Sequence, residues 1–155
     1  MPQNLAPLPE GAEIVDGDRS PTAFFRLLWQ MIRDSMVRTP TEARISGSGQ
    51  TAALATTTIR TTTLQADYEV GYYIRKTTAD GVSSSLTVTL GWTENGVAQT
   101  RAFAALTTDT TTANQSAVIP ILADAATDIT IAIAYASNTP GQMVYLYRAS
   151  VKRLA

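Results

Sequence analysis

Proton transfer, metal binding and thiol chemistry near neutral pH run most often on histidine and cysteine, and this chain of 155 residues contains neither. What remains is carboxylates, hydroxyls and two lysines. Asp67 with Glu69, or Asp124 with Asp128, are the carboxylate pairs closest in sequence, and a pair is what glycoside hydrolysis needs. On a strand, Asp67 and Glu69 would share one face at about 7 Å, near the separation such enzymes use. The plainer reading places both at a solvated strand start, and it is preferred. A serine nucleophile without histidine needs a lysine base, and Lys76 and Lys152 are the only lysines. Lys76 follows Arg75 at the end of a candidate strand, a position expected to face water. Gly47-Ser48-Gly49 lacks the Lys-Ser/Thr ending of a phosphate loop and the glycine spacing of a nucleophile elbow. Asp16, Asp18, Asp109, Asp124 and Asp128 could offer oxygens to calcium, but their spacing matches no loop motif. The expectation is a non-enzymatic protein with no catalytic residue, no metal and no cofactor.

Binding is the remaining class. Carbohydrate-binding sandwiches use exposed aromatics, and Tyr72, Tyr73, Trp92, Tyr135, Tyr145 and Tyr147 are available. Most of these alternate into a core face. Tyr73 points opposite to Tyr72 and Ile74, and is the candidate ligand-binding residue. A net charge of −1 and a charged fraction of 16%, against a usual quarter or so, argue against nucleic-acid or membrane-surface binding. Threonine and serine can cover a neutral sheet surface instead, and part of that surface can be buried by partner subunits.

Four zones divide the chain that must position these residues. Residues 1–19 carry three prolines with Glu10, Glu13, Asp16 and Asp18, which predicts an extended arm. There is no basic leader followed by an apolar run, so no signal peptide is expected, and no apolar run is long enough to span a membrane. Ser20 as N-cap and Pro21 at the first helical position begin an amphipathic helix over 20–38, ended by Pro40. Phe24, Phe25, Leu28, Trp29 and Ile32 lie on its apolar stripe. That stripe either packs on the protein's own β domain or is an assembly and anchoring surface for a neighbouring subunit, and its width favours a second partner. Residues 39–51, centred on Ser46-Gly47-Ser48-Gly49-Gln50, read as a linker.

From 52 to 155 the period changes to two. Candidate strands run over 53–63, 68–76, 84–92, 97–104, 116–122, 128–136 and 143–153. Asn95-Gly96 is the strongest hairpin-turn signal. Seven short strands with frequent turns give a mainly β chain, an antiparallel β-sandwich or jelly roll behind an extended arm and one helix. At this length one such domain buries roughly two thirds of its unfolded surface.

The opening Ile14-Val15-Asp16-Gly17-Asp18-Arg19-Ser20-Pro21-Thr22, followed by Phe25 and Trp29, resembles openings of small tailed-bacteriophage structural proteins and tail-fibre attachment segments. The threonine-rich remainder resembles the sandwich or jelly-roll modules of phage fibres and capsid-decorating proteins. That resemblance implies a virion structural subunit, commonly a homotrimer, made in the host cytoplasm and contacting other virion proteins. Its N-terminal part would anchor to the particle, and its β domain would be displayed outward. The β region is short for a receptor-binding fibre and has no shaft, which shifts weight toward a decoration, neck or tail component. The alternative is a tail-tip or fibre protein that binds host-surface glycan, with Tyr73 as its contact.

Overall fold

A computed structural model describes Leu28, residues 42–138 and residues 142–154. The chain divides into two units, Met1–Thr39 and Pro40–Ala155. Leu28, the described residue of the first unit, is helical and half-buried. The arm expected over 1–19 and the rest of the helix expected over 20–38 fall outside the described residues, as do Pro21, Phe24, Phe25, Trp29 and Ile32.

The second unit is mainly β, with eight strands: β1 (Glu42–Gln50), β2 (Leu54–Thr61), β3 (Ala66–Thr78), β4 (Ser84–Glu94), β5 (Val97–Ala102), β6 (Asn114–Ala123), β7 (Asp128–Ser137) and β8 (Val144–Arg153). They form two four-stranded antiparallel sheets, ordered β1-β8-β3-β6 and β2-β7-β4-β5. First pairs with last, second with seventh, third with sixth and fourth with fifth. The whole unit is thus one long antiparallel ribbon, rolled up so that β3 also pairs with β8 and β4 with β7. This is the jelly-roll order.

Strict alternation builds the core between the sheets. Tyr68, Val70, Tyr72 and Ile74 of β3, Leu86, Val88 and Leu90 of β4, Ile129, Ile131 and Ile133 of β7, and Tyr145, Ala149 and Val151 of β8 all point inward. Their neighbours in sequence point out. The Asn95-Gly96 turn joins β4 to β5 with φ of 51° and 75°, the left-handed pair that a two-residue hairpin requires. Asp124 holds it in place, its carboxylate accepting hydrogen bonds from Asn95 N–H at 3.0 Å and Gly96 N–H at 2.7 Å.

The linker expected over 39–51 is corrected, because residues 42–50 are strand β1. Its glycines serve space and register rather than flexibility. A Cβ on Gly47 would stand 2.5 Å from Cε1 of Tyr147, so only glycine lets β1 lie against that ring. Gly49, at φ 65°, sits in the irregularity where the β1–β8 register shifts between Gly47 and Gln50.

The threonines do more than cover a surface. Thr62 is buried, donating its hydroxyl to the Asp124 carbonyl and accepting from Thr127 N–H at 3.1 Å. It braces the β6–β7 turn, where Ala126 adopts φ 56°. Thr58 and Thr61 of β2 bond the Asp128 carboxylate at 3.2 and 2.5 Å.

Candidate functional site

The outward residues of the β1-β8-β3-β6 sheet fall in cross-strand rows fixed by the register. One row runs Glu42, Lys152, Glu69, Pro120; the next runs Arg44, Ser150, Gly71, Val118; the third runs Ser46, Arg148, Tyr73, Ser116. Gly71 contributes no side chain to the second row, and this leaves a shallow groove of about 580 Å³. Tyr73 and Arg148 border it on one side, Arg44 and Glu42 on another, and the exposed Val118 on a third. On its far side Tyr73 borders a second groove of about 390 Å³ together with Arg75, Leu146 and Arg148, so the ring stands as a wall between the two.

Charge on this face is unevenly spread, with Lys152 standing between Glu42 and Glu69. Asp67, Glu42 and Glu69 lie toward one end, while Arg44, Arg148 and Arg75 surround the groove and the wall. Arg44 bonds Glu42 at 2.7 Å within its own strand, and that bond holds the Glu42 carboxyl below its usual range. The Arg44 side chain is largely exposed and that of Glu42 is 33% exposed, a setting in which such pairs are weak and readily exchanged. Arg75 reaches the Thr111 carbonyl at 3.4 Å. The Arg148 side chain is exposed and, among the described residues, has no hydrogen-bond or ion-pair partner. The face therefore offers free or loosely held guanidinium donors beside a half-buried aromatic ring.

The sequence placed Tyr73 on the outward face by parity, and it lies there. The other five candidate aromatics behave as the alternation implies: Tyr72, Tyr145 and Tyr147 are buried, while Trp92 and Tyr135 pack at the margin of the core. Asp67 and Glu69 are exposed on one strand face as expected. Asp124 and Asp128 are engaged by the hairpin turn and the β2 threonines respectively. Asp109 bonds Asp80 and Ser84. Among the described residues, no three His, Cys, Asp or Glu side chains gather as a metal site.

Lys76 corrects the expectation of a solvated lysine. It is fully buried, because it continues the inward series of Tyr68, Val70, Tyr72 and Ile74, and because polar partners await it there. Its Nζ donates to Ser84 Oγ at 2.8 Å and to the Ser84 carbonyl at 3.0 Å. Ser84 in turn donates to Asp109 Oδ1 at 3.1 Å, and Asp109 also accepts from Asp80 N–H at 3.3 Å. Asp80 accepts from Ser137 Oγ at 2.8 Å, Asn138 N–H at 3.2 Å and Val82 N–H at 3.1 Å. Burial pushes the lysine pKa down, and the charges of Asp109 and Asp80 oppose that shift. Burial would raise Asp80, but the bonds from Ser137, Val82 and Asn138 outweigh it and hold the carboxyl low.

A lysine and a serine in contact are the parts of a nucleophilic pair, yet the proton order is wrong for one. The serine proton is directed at Asp109 and the lysine is a donor to the serine, so the amine is not placed to remove that proton. The cluster ties the β3–β4 connection, the β5–β6 connection and the end of β7 together at one end of the sandwich.

No family model and no curated protein matches the chain. Among solved structures, the VP2 subviral particle of infectious bursal disease virus is similar at 16% identity and a TM-score of 0.40, covering 74% of this chain and 33% of that one. A structure of the Gt strain of the same virus is similar at 16% identity and a TM-score of 0.34, covering 76% of this chain and 37% of that one. The chain spans about a third of the length of these proteins, and likeness at this level has no bearing on what it does.

Proposed function

We propose that the chain is a non-enzymatic structural subunit of a virus particle, of the tailed-bacteriophage type that the opening segment resembles. The observation that supports this best is the strand order: a complete eight-stranded rolled ribbon, an architecture that serves viral capsid, lectin and cupin domains. Cupin-type metal chemistry has no histidine to run on here. The directed Lys76–Ser84–Asp109 chain commits that lysine–serine contact to holding loops together.

In this reading the arm and helix over 1–38 anchor the subunit to other virion proteins and to copies of itself, with a homotrimer favoured. Pro21, Phe24, Phe25, Leu28, Trp29 and Ile32 supply the contacts, and the jelly roll is displayed outward. The edges of the sheets fit such a display. Pro120 lies on edge strand β6, and β1 ends in a register irregularity, so strand-to-strand aggregation is discouraged while faces stay open.

Trp29→Asp tests the anchoring surface. The variant should keep a folded β unit by circular dichroism and lose assembly; retention of the wild-type assembled mass would refute the role given to that helix.

A further inference from the structure

We propose that the groove on the outer face of the β1-β8-β3-β6 sheet binds a glycan ending in a carboxylated sugar. Arg148 and Arg44 would take the carboxylate, and Tyr73 would form the stacking wall. Such a site lies outside the structural role proposed above and does not depend on it.

Size comes first. The groove is of the order that small ligands occupy, and it exists because Gly71 interrupts a row of side chains between Ser150 and Val118. Directly across β3 and β8, Tyr73 and Arg148 are paired, which brings a ring face and a guanidinium to neighbouring positions. Arg44, one strand further and one row along, lies diagonally from Arg148 at roughly 7–8 Å between backbones, within reach for two long side chains. Arginine forks match the planar, two-oxygen geometry of a carboxylate.

The sign pattern then selects the kind of anion. A long sulfated chain running toward that end would meet the carboxylates of Glu42, Glu69 and Asp67 against the one positive charge of Lys152, a net repulsion. A sugar with a single carboxylate puts its charge between the arginines and turns hydroxyls toward Glu42, which accepts hydrogen bonds from them. Its apolar ring face then covers Tyr73 and the exposed Val118. Charge complementarity thus favours one carboxylate on a hydroxyl-rich body over a polyanion or a neutral sugar.

The full chain should be titrated with 3′-sialyllactose, with lactose as the uncharged core and a heparin hexasaccharide as the polyanion, by calorimetry or ligand-observed NMR. Sialyllactose should bind at least about tenfold more tightly than lactose, the ratio that one charge-assisted contact gives. Arg148→Ala should remove that preference. Gly71→Val should abolish binding by filling the groove. A Cβ at Gly71 meets only ordinary contacts, 3.4 Å to Ser150 Oγ and 3.6 Å to Val118, and valine suits a strand, so the variant should fold. Circular dichroism and solution mass equal to wild type confirm that. Equal binding of lactose, tighter binding of heparin, undiminished binding by folded Gly71→Val, or no binding of sialyllactose would each overturn the proposal. None of these results alters the assembled mass on which the structural reading turns.

Discussion

Lys76 reaches Ser84 inside the end of the sandwich, with Nζ 2.8 Å from the hydroxyl and 3.0 Å from the carbonyl of the same residue. A buried ammonium is costly unless paired and hydrogen-bonded, and here Ser84 supplies the bonds while Asp80 and Asp109 supply the opposite charge. Replacing it with methionine keeps the volume and removes the donors. Lys76→Met should lower the unfolding free energy by about 1–3 kcal/mol, measured by urea denaturation. Because the Ser84 proton is committed to Asp109, wild-type Ser84 should also form no adduct with a fluorophosphonate probe, as read by intact-mass spectrometry.

Gly47 is fixed by a ring rather than by a turn. Gly47→Ala would press a methyl group to 2.5 Å from Tyr147, and either the ring or β1 must shift. The expected loss is about 1–3 kcal/mol, the range for overpacking, seen as a lower thermal midpoint. Gly49→Ala offers a comparison: its Cβ meets nothing within 4 Å, so any cost there comes from its φ of 65° alone.

Alkaline unfolding should be governed in part by Tyr145. Burial, with Tyr147 and Tyr135 nearby, pushes its hydroxyl up to about 12, and the hydroxyl donates to the Ala52 carbonyl at 2.9 Å. A pKa raised in the folded state favours folding fully below the ordinary tyrosine value of about 10, and that contribution disappears as pH rises through the folded value. Stability should therefore fall between about pH 10 and 12, and Tyr145→Phe should flatten that fall. Absorbance at 295 nm and denaturant midpoints across the range measure both.

How far the fold could be read from sequence depended on how local its causes were. Ser84 to Trp92 and Asp128 to Ala136 alternate so regularly that strands β4 and β7 were legible, and Asn95-Gly96 gave its hairpin. Strand β1 was not, because the reason for Gly47 is a tyrosine in β8, about a hundred residues further along the sequence. Lys76 was misplaced although its parity with Ile74 was visible. Charge argued for solvent, and the partners that reverse that argument, Ser84 at the start of β4 with Asp80 and Asp109 in the connections, meet at a point only the strand order determines. Tyr73 was legible as an outward aromatic; Arg148 and Arg44 beside it were not, since their adjacency follows from β8 lying between β1 and β3.

In the role proposed above, the N-terminal segment drives assembly and the β unit is its passenger. The most direct test is solution mass by light scattering, for the full chain beside a chain beginning at Pro40, which keeps β1 whole. The full chain should be an oligomer, a trimer in its favoured form, that becomes a folded monomer when residues 1–39 are removed. A full chain that stays monomeric across the concentration range, or an oligomer unchanged by the truncation, would contradict that role.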